Sequence, residues 1–96
     1  MNTDWQFGKV KIDDELKDLF EKKVHKLTHF YDHIYDSSIF FKDEGPEEKV
    51  VEIKVNVKNN TLFCSEKENS FEKALDSCVE AMKRSLKRYK SKLQEK

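Results

Sequence analysis

Val51-Glu52-Ile53-Lys54-Val55-Asn56-Val57-Lys58-Asn59-Asn60-Thr61-Leu62-Phe63 is the stretch that decides how this chain folds. Val51, Ile53, Val55 and Val57 alternate with Glu52, Lys54 and Asn56, the pattern of a strand with one buried and one wetted face. Asn59-Asn60 comes next. Asn tolerates positive φ, so the pair predicts a tight hairpin turn into a further strand, Thr61–Lys67. A sheet that is wet on one side needs a cover on the other, and the flanking sequence supplies it.

Towards the N-terminus, Ser37–Lys42 reads as a strand ending in the loop Asp43–Glu48, which holds the only proline, Pro46. Before it, Leu16, Leu19, Phe20, Val24, Leu27, Phe30, Tyr31 and Ile34 recur at helical spacing and form one wide apolar face. Asp13 can cap that helix, with Asp14 and Glu15 favourably placed in its first turn. The opening segment Thr3–Val10 sets Thr3, Trp5 and Phe7 on one side of a two-residue period, a strand that Gly8 can end early.

Towards the C-terminus, Ser70 can cap a long helix, with Asn69 and Glu72 as an alternative capping pair. Its apolar face is Phe71, Ala74, Leu75, Cys78, Val79, Met82, Leu86, Tyr89 and Leu93. The predicted order is therefore β-α-β-β-β-α. The fold class is α+β, a four-stranded mixed sheet with two helices on one face, because that arrangement buries both helical stripes. If the first two strands are neighbours, the helical crossover makes them a parallel, right-handed pair.

Composition bounds what such a domain can do. Ninety-six residues make a single domain, 1–96, with one two-layer core. Charged residues are 40% and hydrophobic ones 36%, but 11% aromatics argue for a folded chain, since disordered chains are aromatic-poor. Lys plus Arg and Asp plus Glu are 19 each, so any electrostatic function has to come from segregation of charge. Cys64 and Cys78 are far from a CxxC spacing and read as free buried thiols in a reducing compartment. Met1–Val10 has no basic or apolar leader pattern, and no run reaches membrane-spanning length. The expectation is a soluble cytoplasmic protein without cofactor, small-molecule substrate or membrane partner. There is no Gly-rich phosphate loop, nucleophile elbow or Cys near a His in sequence, so it is not expected to be an enzyme.

Charge is concentrated at the C-terminal end. Ala81–Lys96 holds seven Lys/Arg against one acid, Glu95, and the basic tip of the helix is expected to fray. Arg84, Arg88 and Lys92 repeat every four residues, with Lys83, Lys87 and Lys90 on the other side of the polar face. Early acids (Glu72, Asp76, Glu80) and late cations do complement a helix macrodipole, and Glu80 can pair with Arg84. Dipole effects act over a terminal turn, however, whereas this basic run extends back about three turns. A phosphate-rich partner accounts for the excess better. On the first helix, Lys22, Lys26, His29 and His33 lie along one flank, and Lys23 falls inside the apolar stripe. There Lys23 either snorkels past its neighbours or lines an uncovered groove. His25, His29 and His33, four apart, would share one helix face, but no carboxylate or Cys completes a metal site, so none is expected.

Several segments carry a resemblance in order: Glu21-Lys22-Lys23 with Lys26-Leu27, Phe30-Tyr31-Asp32-His33-Ile34, Asn60-Thr61-Leu62-Phe63, Ser70-Phe71-Glu72 with Ala74, and Arg84, Leu86, Arg88, Lys90, Lys92-Leu93. Together they resemble the ribosome hibernation-promoting factor family, also known as ribosome-associated inhibitor or sigma-54 modulation protein, from about Asp13 to Leu93. The first strand, Thr3–Gly8, departs from that family's alternating aliphatics, Asn69 stands where many members have an acid, and Ala81 replaces a common Lys.

The resemblance implies a single ribosome-binding domain of the short form. It also implies a bacterial stress or stationary-phase factor that occupies the mRNA and tRNA decoding channel of the small ribosomal subunit and inhibits translation. The partners implied are that subunit and its rRNA, with room for a second hibernation factor. The implied RNA contacts are Lys23, Lys26 and His33 from the first helix region and Arg84, Arg88, Lys90 and Lys92 from the last, where Lys83 and Lys87 add charge. Two other readings stay open. One is a general double-stranded-RNA-binding-like domain, and the other is a protein-interaction regulator docking on an acidic partner.

Overall fold

The structure, a computed structural model, describes residues 2–31 and 33–94, the side chains of residues 2, 93 and 94 excepted. The expected contributions of Leu93 to the apolar face, of Asp32 to the motif and of Lys96 to the basic end therefore lie outside the described residues. Six elements follow in the predicted order: β1 (Asn2–Gln6), α1 (Asp14–Phe30), β2 (Asp36–Asp43), β3 (Lys49–Val57), β4 (Asn60–Glu68) and α2 (Phe71–Gln94).

The strands form one sheet ordered β1-β2-β3-β4. β1 pairs parallel to β2, whereas β2–β3 and β3–β4 are antiparallel. The register aligns Trp5, Ile39, Ile53 and Cys64 across the sheet, with Thr3, Ser37, Val55 and Leu62 in the next row on the same face. Against this face pack Phe20, Val24 and Leu27 of α1 and Ala74, Leu75, Cys78, Met82 and Leu86 of α2, all buried. Burying one such side chain stabilises by about 1.5–3 kcal/mol, so this single shared core is what commits both helices to the same side. The other face carries Asp4, Ser38, Lys54 and Phe63 as its corresponding row, and Phe63 is exposed there.

Trp5, Phe7, Phe20 and Phe71 stack or pack edge-on around Phe41, with ring centroids 5.0–6.1 Å apart, so aromatic contacts hold the irregular first strand in place. Gly8 follows at φ 57, and the amide of Val10 donates to the carbonyl of Phe7 at 2.9 Å, which ends the strand where the glycine suggests.

The helix starts follow the sequence. Asp13 Oδ1 accepts from the Leu16 amide at 2.8 Å, and Ser70 Oγ accepts from the Lys73 amide at 3.2 Å, so Ser70 rather than Asn69 is the cap of α2. Two boundaries differ from expectation. The stripe read through Ile34 is helical only to Phe30, and Tyr31 is an extended cap at φ −150, ψ 115. Thr28 to His33 is a run of weak helix formers, so nothing local resists the turn back towards the sheet. Tyr31 and Ile34 remain buried, but from the connection. The β3–β4 turn sits one residue earlier than expected, on Lys58-Asn59, because Val57 pairs with Asn60. Asn59 takes the positive φ of 62.

Lys23 reaches Asp76, and Tyr31 packs against Tyr89 with centroids 5.9 Å apart, so the two helices run in the same direction. Both begin at the end of the sheet that carries the β2–β3 loop, where Lys49 Nζ lies 5.8 Å from the Phe71 ring. Both finish towards the β3–β4 turn, whose Lys58 carbonyl accepts a hydrogen bond from the Tyr89 hydroxyl.

Candidate nucleic-acid interface

The C-terminal half of α2 turns its buried face, Met82, Leu86 and Tyr89, to the sheet and leaves a wide arc of cations outside. Arg84, Lys87, Arg88, Lys90 and Lys92 are all exposed, and among the described residues none has a carboxylate within ion-pair distance. Lys83 is the exception. It sits 3.3 Å from Glu80, so Glu80 makes an i,i+3 pair with Lys83 rather than the i,i+4 pair open to it with Arg84, which has no ion-pair partner among the described residues.

The two basic stripes point different ways. Arg88 and Lys92 line a groove with Asn60, Leu62, Ser85 and Tyr89, on the β4 side of the helix. Lys90 lines a cleft with Thr28, His29, Phe30, Tyr31 and His33, on the α1 side. The arc between them is the outer surface of the helix. Lys87 and Arg84 lie within it, because residues three and four apart on a helix are surface neighbours.

On α1, Lys22, His25, Lys26 and His29 share the exposed outer surface with Asp18 and Glu21. Lys26 and His33, as expected of contact residues, are exposed. Lys23 is placed otherwise. Its side chain is only 18% exposed, and its ammonium lies 2.6 Å from Asp76 and 3.9 Å from Glu72. The charge in the apolar stripe is thus answered by acids on the facing helix, and Lys23 ties the two helices together. The open cationic surface starts about one turn further along.

The three histidines do not share one helix face. His25 and His29 do, with ring centroids 5.3 Å apart, but α1 has ended before His33, which packs edge-on against Tyr31 at 5.5 Å. No group of three or more His, Cys, Asp or Glu among the described residues could hold a metal ion. Nor is any described helix long and apolar enough to cross a membrane.

Sequence reasoning missed two residues at this end. Lys58 is exposed on the β3–β4 turn, beside the carbonyl that anchors Tyr89. Tyr35 is 61% exposed, and its amide donates to the Asn56 carbonyl at 2.9 Å as β2 begins. Only the topology brings them to the basic end, Tyr35 beside the β2–β3 pairing and Lys58 through the β3–β4 turn, so no local pattern could have flagged them.

Acids gather at the opposite end. Asp13, Asp14, Glu15 and Asp18 open α1, Glu72 and Asp76 open α2, and Asp43, Glu44, Glu47 and Glu48 surround the β2–β3 loop. The chain is neutral in sum and polar along a 47 Å axis. A phosphate-rich surface would meet one end and be repelled by the other.

The sequence model of the family described as sigma 54 modulation protein / S30EA ribosomal protein matches residues 4–94. Among solved structures, a ribosomal subunit interface protein from Coxiella burnetii is similar, with TM-score 0.86 and 24% identity over 95% of this chain and 99% of that one. The N-terminal domain of Thermus thermophilus Protein Y is similar as well, with TM-score 0.80 and 22% identity over 93% of this chain and 99% of that one. No curated protein sequence matches.

Proposed function

The chain belongs to the sigma 54 modulation protein / S30EA ribosomal protein family, and from that premise we propose that it is a ribosome hibernation factor. It binds the small ribosomal subunit at the mRNA and tRNA decoding channel and inhibits translation under stress or in stationary phase. The mechanism is steric occlusion without chemistry. Arg84, Lys87, Arg88, Lys90 and Lys92, with Lys83, Lys26 and His33 beside them, neutralise rRNA phosphates, and the release of condensed counterions supplies much of the affinity. Phosphate contacts position a protein without reading sequence, so the fit of the two-helix surface to the channel supplies the specificity.

The observation that carries this reading is the outer arc of α2, a run of exposed cations with no acidic partner among the described residues. A helix solvated for its own sake would spend such charges on i,i+4 pairs, each worth about 0.2–0.5 kcal/mol. Lys23, held by Asp76, contributes through the positioning of α1 against α2.

Sedimentation with purified small subunits across a salt series tests the proposal. Arg84→Ala with Arg88→Ala is expected to weaken binding strongly and to flatten the slope of log affinity against log salt by roughly 2, about 0.9 per lost phosphate contact. Both side chains are exposed, so the fold should be unchanged by circular dichroism. A folded double mutant with an unaltered salt slope would sink the idea. Equal affinity for plain duplex RNA would favour a general RNA-binding domain, and binding that survives removal of rRNA would favour a protein partner.

A further inference from the structure

The cleft where α1 ends differs in chemistry from the rest of the basic surface. Its lining is Thr28, His29, Phe30, Tyr31, His33 and Lys90. Four of these six are aromatic or imidazole rings, and Lys90 is the only fixed cation. One wall is rigid, because the His33 ring packs on Tyr31 at 5.5 Å and Tyr31 packs on Tyr89 at 5.9 Å. The Tyr89 hydroxyl in turn donates to the Lys58 carbonyl.

The floor is the C-terminal end of a helix. The Tyr31 amide takes the Leu27 carbonyl at 2.9 Å, and the Thr28 hydroxyl takes the His25 carbonyl at 2.6 Å. Among the described residues, no other backbone amide outside the helix ladder reaches the carbonyls of Thr28, His29 or Phe30. Helix carbonyls point along the axis towards the C-terminus and carry its partial negative charge. That spot repels a phosphate and favours a hydrogen-bond donor. A flat ligand with an exocyclic amino group, stacked between rings and followed by one phosphate at Lys90, satisfies each of these features.

We propose that this cleft takes one unpaired purine base of an RNA strand. Its ring stacks on His29 and His33, its amino group donates to the carbonyls at the end of α1, and its phosphate pairs with Lys90. The inference rests on the reading of the chain as an rRNA binder and adds to it a site for a base rather than for backbone. Single-stranded RNA is recognised largely through such stacking on aromatic and His side chains.

The test titrates isotope-labelled protein with the hexanucleotides r(A)6 and r(U)6 at about 150 mM salt, following backbone amides by NMR. r(A)6 is expected to shift residues 28–31, His33 and Lys90 and to bind about tenfold more tightly than r(U)6, because one base–aromatic stack is worth about 1–3 kcal/mol and uracil lacks the amino donor. The ratio of the two affinities cancels the shared phosphate contacts. His29→Phe with His33→Phe should keep the preference for r(A)6, whereas His29→Lys with His33→Lys should abolish it. Equal affinities, or preference retained by the lysine pair and lost by the phenylalanine pair, would overturn the proposal. So would shifts confined to residues 84–88. Sedimentation with small subunits separates the two readings. Subunit binding with a silent cleft removes the base site alone, and an occupied cleft without subunit binding removes the ribosomal reading alone.

Discussion

Asp43 and Lys49 face one another as the last cross-strand pair before the β2–β3 loop, with Lys49 Nζ 2.7 Å from the carboxylate. That hydrogen bond, with a further one from the Gly45 amide at 3.2 Å, holds the Asp43 carboxyl below the usual carboxylate range. A depressed folded-state pKa means stability that is present above the unfolded value, near 4, and lost as pH falls through the folded one. Asp43→Asn should therefore lower the melting temperature modestly at pH 7, and the two melting curves should converge near pH 2. Thermal unfolding at the two pH values checks this, and a constant offset would refute it. Cys78 behaves oppositely. Burial pushes its thiol up to about 12, with the neighbouring Cys64 adding to the effect, and burial raises Cys64 too. The thiolate is the reactive form. Iodoacetamide at pH 8 is expected to leave Cys78 unmodified in the folded protein and to alkylate both cysteines in urea, as read by mass spectrometry.

At the scale of elements, the Tyr89 side chain ties the far half of the long second helix to the sheet. Among the described residues Tyr89 is the last of α2 in the core, and its hydroxyl reaches the β3–β4 turn at Lys58. Tyr89→Phe keeps the packing and removes that bond, so the expected cost is about 1 kcal/mol. Hydrogen exchange should quicken in the turn at residues 58–60 and in the helix beyond residue 89 while the helix start at Ser70 is unaffected. Uniform quickening would mean that the tie is not local. These two ends also show what sequence can and cannot carry. Alternation in β3, the caps Asp13 and Ser70 and the stripe of α2 from Phe71 to Tyr89 are local patterns, and each appears in the structure where it was read. The end of α1 was misplaced because Tyr31 and Ile34 are core residues whether helical or extended, so periodicity alone could not separate the two states. His33 lost its place beside His25 and His29 for the same reason. The partner of Lys23 was illegible because Asp76 lies on the other helix, fifty-three residues away in sequence.

The whole molecule segregates its charge because the two helices run in parallel, so both acidic first turns share one end and both basic C-terminal halves share the other. Neutralising part of the acidic end tests whether binding senses net charge or local contacts. Asp18→Asn, Glu44→Gln and Glu47→Gln together raise the net charge by three, yet they should leave the salt slope of subunit binding within about half a unit of the wild type, since no phosphate contact is gained. A slope steepened by two or more would show that bulk charge governs association. The candidate interface was legible in sequence as a basic helix, but its extent was not, since Lys58 and the cleft beneath Lys90 come from segments that meet only in the fold.

The parallel helices have one more physical effect. Screening at physiological salt acts over about 8 Å, several times less than the 47 Å length, so the two ends are electrically independent. A uniform field exerts no net force on this neutral chain, only a torque on its segregated charge. The steep potential gradient beside a dense array of phosphates exerts a torque. If the proposed partner is met, the protein would be rotated within that screening distance, basic end foremost, and the search over orientations that limits most protein association would be shortened by the arrangement of its own backbone.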